Sequence, residues 1–476
     1  MLTIEQARDR LSAIAQDHVL AFYDELSPAQ QQSLLAQIDA IDLEAIPGLI
    51  DEYVKQRPAI HLPDRIDPAP FYPMDPADPA RSWDRDRYAA VGEELIRAGK
   101  LAAFVVAGGQ GTRLGFDGPK GCFPAGAVSG ATLFEMFARQ IAAAQHKFGV
   151  TIPWYIMTSP LNHDATVAYL QANNFFALDP HAVSCFQQGV MPSFDAATGR
   201  LLLADKHALA INPDGHGGSL KALVVSGAIG DMKRRGIELI SYFQVDNPST
   251  RIVDPAFLGL HAAAPDSSAE MSSKMLAKRE PAEKVGVFCV VDGKLQMVEY
   301  SDLPADLASE RLPSGQLRFS AGNPAIHLLS VEFVERLSAD PAFALPFHRA
   351  DKKVPYIDPD SGGLIEPTAP NAVKLERFVF DALPLARRSL VLETDRIEEF
   401  APVKNAEGDD SPASSRRLQT ERAARWLERA GVAIPRDARG HADCTLELLP
   451  ATALLPEDLN STNLPASIER GAHLVL

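Results

Sequence analysis

The chain has 476 residues, of which 46% are hydrophobic and 23% charged, with a formal net charge of −16 at pH 7. That length is enough for a large core and more than one domain, and the composition is ordinary for a soluble globular protein. The acidic balance argues against a nucleic-acid partner or an anionic membrane surface, so a polyphosphate ligand would need locally gathered Lys and Arg or a divalent metal.

Residues 1 to about 57 carry apolar positions at helical spacing: Leu11, Ile14 and Ala15, then Val19, Phe22 and Tyr23. Ser27-Pro28 reads as the N-cap and first residue of a second helix running through Leu34, Leu35 and Ile38. Pro58 to Pro79, rich in proline and aspartate, is an extended connector, and a third helix from about Trp83 to Ala98 follows. From 101 to about 385 short apolar strands alternate with helical patterns, the signature of a Rossmann-like α/β core whose mixed sheet is mostly parallel. Candidate strands are 102–107, 154–158, 183–187, 238–245, 285–291 and 298–300, and candidate helices 132–148, 163–171 and 220–235. From 386 onward a strand at 389–393, a polar loop at 406–415, a helix at 418–430 and short apolar pieces make a small β-containing region. The expected division is 1–98, an N-terminal helical region with its connector, 99–385, the α/β core, and 386–476, the small C-terminal region.

Cysteines 122, 185, 289 and 444 are widely spaced, which fits reduced, mostly buried thiols better than a zinc site or a disulfide frame. The opening MLTIEQARDR has no apolar leader segment and no run approaches a membrane span, so the expectation is a cytoplasmic protein without a membrane partner.

The densest chemical signal is LAAFVVAGGQGTRLGFDGPKGCFP, residues 101–124. A compact apolar strand breaks into Gly108, Gly109, Gln110 and Gly111, and Arg113 and Lys120 follow. Glycines at a strand's end allow a tight bend and present bare N–H groups to an oxyanion, and two cations beside such a nest suit a polyphosphate. A dinucleotide fingerprint counted from Gly109 would need its sixth residue to be glycine, and Leu114 stands there. A P-loop fails as well, because Lys120 follows Pro119 and precedes Gly121. Without an evident nucleophile, the chemistry that fits is positioning and charge neutralisation, as in phosphoryl or nucleotidyl transfer.

Other features are locally ambiguous. Gln187-Gln188-Gly189 at a strand end could hydrogen-bond an amide-like edge such as uracil, or close a turn. Pro213 to Gly218, PDGHGG, is a second glycine loop that could lie against a base or sugar. Asp246-Asn247 at a strand mouth is a common magnesium position and equally an Asp-Asn-Pro turn. Glu299 and Asn323 could read sugar hydroxyls, and Lys374 and Lys404 are lone cations of the kind usually found solvated.

Taken together, VVAGGQGTRLG…PKG, WYIMTS, FQQG, PDGHGG, RGIELISYFQVDN, KVGVFCVVDGKLQMVEYS, AGNPAIH, KKVPYID, VKLERFVFD and FAPVKN, in this order over roughly residues 80–410, resemble the UDP-sugar pyrophosphorylase family, above all its UDP-N-acetylhexosamine branch. The resemblance implies that Gly108 and Gly109 lie against the nucleotide while Arg113 and Lys120 meet the triphosphate and the departing pyrophosphate. It implies that Gln188 and Gly215, with His216 beside them, hold the uracil end, that Asp246 binds Mg²⁺, and that Lys374 contacts phosphates. Gly286, Glu299 and Asn323 would line the sugar, Phe378 and Phe380 would shape the pocket near its 2-substituent, and Lys404 would meet the sugar-linked phosphate. One position departs from that branch: its eukaryotic members carry Asn where this chain has His216, and a Gly-His-Gly loop is similar to that of UDP-glucose and broad UDP-sugar relatives.

The implied reaction is transfer of uridylyl from UTP to a sugar 1-phosphate, N-acetylglucosamine 1-phosphate in the first place, with release of pyrophosphate. It would be reversible and Mg²⁺-dependent in a chain expected to be a monomer. UDP-glucose or broad UDP-sugar specificity is the alternative within the family. A non-catalytic UDP-sugar binding protein is the alternative outside it, and it leaves Arg113, Lys120 and Asp246 without a task.

Overall fold

The computed structural model describes residues 2–57, 65–339, 345–461 and 463–476. It is a mixed α/β fold whose chain gathers into two compact units. The smaller takes the described residues of 1–62, 188–222 and 344–381, and the larger those of 63–187, 223–343 and 382–476. Compactness therefore cuts across the linear division into 1–98, 99–385 and 386–476.

The larger unit is built on an 11-stranded sheet. Its strands are β1 (Ile66–Pro68), β2 (Leu101–Val106), β3 (Trp154–Thr158), β4 (Val183–Gln187), β5 (Leu239–Gln244), β6 (Met271–Ala277), β7 (Val287–Val291), β8 (Lys294–Val298), β9 (Ala321–Gly322), β10 (His327–Ser330) and β11 (Val391–Thr394). The order is β1-β7-β9-β6-β10-β5-β2-β3-β4, with β8 paired to β7 and β11 to β6. Strands β5, β2, β3 and β4 form a continuous parallel block and β11 runs parallel to β6, whereas the remaining pairs are antiparallel. The sheet is mixed, as expected, but not mostly parallel: among the described residues four of its pairings are parallel and six antiparallel, and the continuous parallel block carries the first glycine loop.

Every residue of β2 and β3 is buried, as an apolar run covered on both faces should be. The helix Leu133–Phe148 lays Phe137, Ile141 and Ala144 into a core shared with Ala103, Val105, Trp154 and Phe243. Thr132 caps its start by accepting the Glu135 N–H, and Gly149 ends it at φ 67°.

Several boundaries differ from the sequence expectation for identifiable reasons. The predicted helix 220–235 is two helices, Gly218–Val225 and Ala228–Arg234, because Gly227 sits at φ 81° and breaks the ladder. The strand placed at 298–300 ends at Val298 instead: Asp292 and Gly293, both at positive φ, make the two-residue hairpin that pairs Val291 with Lys294. The helix placed at 418–430 begins six residues earlier, as Pro412–Arg429, with Ser411 as N-cap and Pro412 in its first turn. The connector 58–79 lies outside the described residues from 58 to 64, and beyond them it contributes edge strand β1.

The C-terminal region also braces the first glycine segment. Arg416 and Gln419 donate to the carbonyls of Pro124 and Ala125, and Glu447 accepts from the backbone N–H groups of Val128 and Ser129.

In the smaller unit the N-terminal helices have no core of their own. Leu11, Val19, Leu34 and Ile38 pack on Phe194, Leu201, Leu203, Val373 and Leu375, residues supplied by the 188–222 and 344–381 segments. No helix among the described residues is long and apolar enough to cross a membrane.

Candidate active site

In the larger unit the parallel register aligns three strand ends. Val106 of β2 pairs with Gln244 of β5 on one side and Met157 of β3 on the other, so Gly108, Asp246 and Ser159 each lie two residues past the same row. Chemistry at the carboxyl edge of such a block is what this architecture favours.

The glycine loop is held by its carbonyls. Asn162 Nδ2 donates to Ala107 O (2.9 Å) and Gly109 O (3.1 Å), and Ser159 Oγ to Gly108 O (2.9 Å). Both side chains are buried, Ser159 at 0% and Asn162 at 1% exposure. Fixing the carbonyls on that side fixes the peptide planes, and so the direction of the N–H groups a phosphate would meet. Gly111 N–H donates to Gly118 O and Lys120 N–H to Gly109 O, which folds Arg113 and Lys120 onto one short excursion. Arg113 is exposed and Lys120 half-buried, and among the described residues neither has an ion-pair partner.

Asp246 is presented by β5 and backed by a strap from the C-terminal region. Val403 N–H donates to Asp246 O, Asn247 Nδ2 to Glu399 O (2.7 Å), and Ala401 N–H to Asn247 Oδ1 (3.0 Å). This brings Lys404 Nζ to 4.0 Å from Asp246 Oδ2. Asp410 faces the same spot. Burial pushes its carboxyl above the usual range, Lys404 pulls it down, and the negative charge of Asp246 adds to the rise. Gly286, Glu299 and Asn323 meet at one level of the sheet. Val287 pairs with Val298 and with Gly322, and Asn323 N–H donates to Gly286 O (2.9 Å).

The smaller unit gathers the remaining candidates. Gly215 has φ +85°, and a Cβ there would lie 2.3 Å from Arg377 O. Gly217 N–H donates to Arg377 O, and Arg377 N–H to Asp214 O. The second glycine loop is thus pressed backbone to backbone on the Ala372–Arg377 strand and its continuation, an approach only glycine permits. His216 stacks on Phe378 (5.1 Å between centroids) and meets Phe380 edge-on (5.6 Å), and its Nδ1 accepts the Val379 N–H. That bond places the neutral ring's proton on Nε2. Gln188 is buried, and Asp214 N–H donates to the carbonyl of Gly189 beside it. Lys374 Nζ donates to Asn212 Oδ1, and burial lowers its pKa.

Residues 78–423 match the family described as UTP–glucose-1-phosphate uridylyltransferase. The chain belongs to this family. UDP-N-acetylhexosamine pyrophosphorylase-like protein 1 of Xenopus tropicalis is 36% identical over 442 residues, covering 90% of this chain and 85% of that protein. UDP-N-acetylglucosamine pyrophosphorylase of Saccharomyces cerevisiae is 34% identical over 427 residues, covering 87% of this chain and 88% of that protein. The crystal structure of the Trypanosoma brucei uridine diphosphate N-acetylglucosamine pyrophosphorylase, in complex with an inhibitor, aligns at a TM-score of 0.81 and 25% identity over 98% of this chain and 99% of that one.

For this uridylyltransferase family member, sequence reasoning passed over Ser159, Asn162 and Asp410. Ser159 and Asn162 stand just past β3, and their position in the row with Gly108 was a usable signal once the strands were in register. Asp410 lies in a polar loop, where nothing local marks it.

Asp214 gives this unit a pH signature. Its side chain is buried, Oδ1 has no hydrogen-bond partner among the described residues, and burial, opposed by Arg377, raises its carboxyl to about 6 from 3.8. A raised folded-state pKa favours the protonated acid. The stability it contributes is complete below pH 3.8 and is lost as pH rises through about 6. Asp214→Asn should therefore gain stability over wild type by about 3 kcal/mol between pH 4 and pH 7, read from urea midpoints. A difference that stays flat across that range would show that Asp214 titrates normally.

Proposed function

We propose that the chain transfers uridylyl from UTP to N-acetylglucosamine 1-phosphate, giving UDP-N-acetylglucosamine and pyrophosphate, reversibly. The single observation that carries the reading is the common row of Gly108 and Asp246, with Arg113 and Lys120 unpaired beside the loop. Agreement with relatives over most of the chain supports the substrate class.

The sugar phosphate oxygen is already anionic near neutral pH and needs no general base. It attacks the α-phosphorus of UTP in line, the α–β phosphoanhydride bond breaks, and pyrophosphate leaves. The loop N–H groups orient the triphosphate, and Arg113 and Lys120 take up charge developing on the leaving group. Gln188, Gly215 and His216 hold the uracil end and Lys374 a phosphate. Gly286, Glu299 and Asn323 read the sugar, Phe378 and Phe380 its 2-substituent, and Lys404 its phosphate.

Asp246 offers a hard, half-buried carboxylate with Asp410 near it, a donor set that suits Mg²⁺ completed by water and phosphate oxygens. When bound, the ion supplies charge neutralisation along the triphosphate. The same reading takes the chain as a cytoplasmic monomer acting on small molecules, without nucleic-acid or membrane partners, in keeping with its net charge of −16.

His216 favours a second reading, UDP-glucose or broad UDP-sugar specificity. Pyrophosphorolysis of UDP-N-acetylglucosamine, UDP-N-acetylgalactosamine and UDP-glucose, assayed side by side with Mg²⁺, decides between them. The first reading expects kcat/KM for the N-acetylated sugars to exceed that for UDP-glucose by at least about tenfold. The reverse order would establish the second, and no pyrophosphate exchange with any of the three would remove both.

A further inference from the structure

A cavity of about 90 Å³ opens where the helix Leu133–Phe148 meets the C-terminal helix Pro412–Arg429. Its walls are mixed: Pro248, Trp426 and Leu449 are apolar, and two arginines, Arg139 and Arg422, reach it. Arg139 is already engaged, with Glu135 at 2.6 Å and Glu447 at 3.7 Å. Glu447 in turn is taken up by the backbone of Val128 and Ser129. Arg422 is different. Its Nη1 donates to Ser249 O (2.9 Å) and its guanidinium lies 4.8 Å from the Trp426 ring centre, but no carboxylate among the described residues pairs with it. Burial, with Arg251 adding to it and Glu398 and Glu399 opposing it in part, pushes its pKa down to about 10. The Ser249 hydroxyl, in a residue only 2% exposed, also lines the cavity and has no hydrogen-bond partner among the described residues.

A half-buried guanidinium without an ion pair among the described residues and an orphaned, buried hydroxyl facing one chamber are best satisfied by a ligand that supplies oxygen acceptors and negative charge. We propose that this cavity is a binding site for a small organic monoanion, a carboxylate on a flat apolar body, whose oxygens meet Arg422 and Ser249 while its body covers Pro248, Trp426 and Leu449. A nucleoside triphosphate does not fit the description, since one unpaired cation cannot offset its charge. Pro248 and Ser249 follow Asp246 by two and three residues, so occupancy is read directly by calorimetry and not through activity.

The test is isothermal titration calorimetry of the full chain with 1-naphthoate and with neutral 1-naphthalenemethanol, in the presence and absence of saturating UTP. The expected result is 1:1 binding of naphthoate, at least about tenfold tighter than the alcohol and unchanged by UTP. Arg422→Met should weaken naphthoate about tenfold or more, and the milder Ser249→Ala, which keeps shape and fold, about threefold to tenfold. No binding of naphthoate, equal affinity for the alcohol, displacement by UTP, or undiminished binding in Ser249→Ala would each overturn the proposal.

Discussion

Alanine at Lys120 or at Arg113 should lower kcat by about 10² to 10³, some 3–4 kcal/mol of transition-state stabilisation, while leaving the fold intact. The size follows from the role proposed for these cations. Negative charge moves onto the leaving pyrophosphate as the α–β bond breaks, and a fixed positive charge there costs no reorganisation at the moment of reaction. The absence of a structural penalty follows from their surroundings: both sit on the glycine-loop excursion, and neither is paired to a carboxylate among the described residues. Surface substitutions of that kind usually move stability by less than about 0.5 kcal/mol. Steady-state pyrophosphorolysis and thermal unfolding measured on the same preparations check both halves. A variant with near-normal kcat would take the leaving-group role away from that residue, and one that lost its fold would show that the excursion depends on the side chain.

The second large effect is on stability. Lys274, fully buried on β6, donates to Asp254 at 2.6 Å and to both carboxylate oxygens of Glu399 at 2.6 and 2.7 Å. Thr394 and the Arg251 backbone N–H complete the shell of Glu399. Burial pushes the Asp254 carboxyl up, but Lys274 and Arg251 outweigh that and hold it well below the usual range. Lys274→Met removes the central ammonium and leaves two buried carboxylates uncompensated, which should cost about 3–5 kcal/mol in urea unfolding. Glu399 also begins the strap that carries Lys404 to Asp246 through Asn247, so the surviving folded enzyme should lose turnover as well. Stability within about 1 kcal/mol of wild type would mean that the network tolerates an apolar replacement, as some buried ion clusters do.

Much of the chemistry-bearing sequence was legible because its signals are local. Bare glycines following an apolar strand report a backbone demand, and the structure places Gly108 at the end of β2 and Gly215 at φ +85° against Arg377. Cap chemistry was equally readable at Ser27-Pro28, since the capping partners lie within one turn. Misplaced boundaries came from signals present but passed over: Asp292-Gly293 as a hairpin turn and Ser411-Pro412 as a helix start.

What the amino-acid order determined by itself was the set of strands and loops, the first glycine loop and its two cations, and, through the blocks resembling a known family, the expected nucleotide. Only the tertiary structure decided that the N-terminal helices share a core with segments nearly 200 and 350 residues away. It likewise put Lys274 between Asp254 and Glu399, and set Arg422 in a cavity with no ion-pair partner among the described residues. The physical reason is range: backbone conformation and capping are settled by neighbours within a few residues, whereas burial, charge compensation and register depend on which distant segments share one interior.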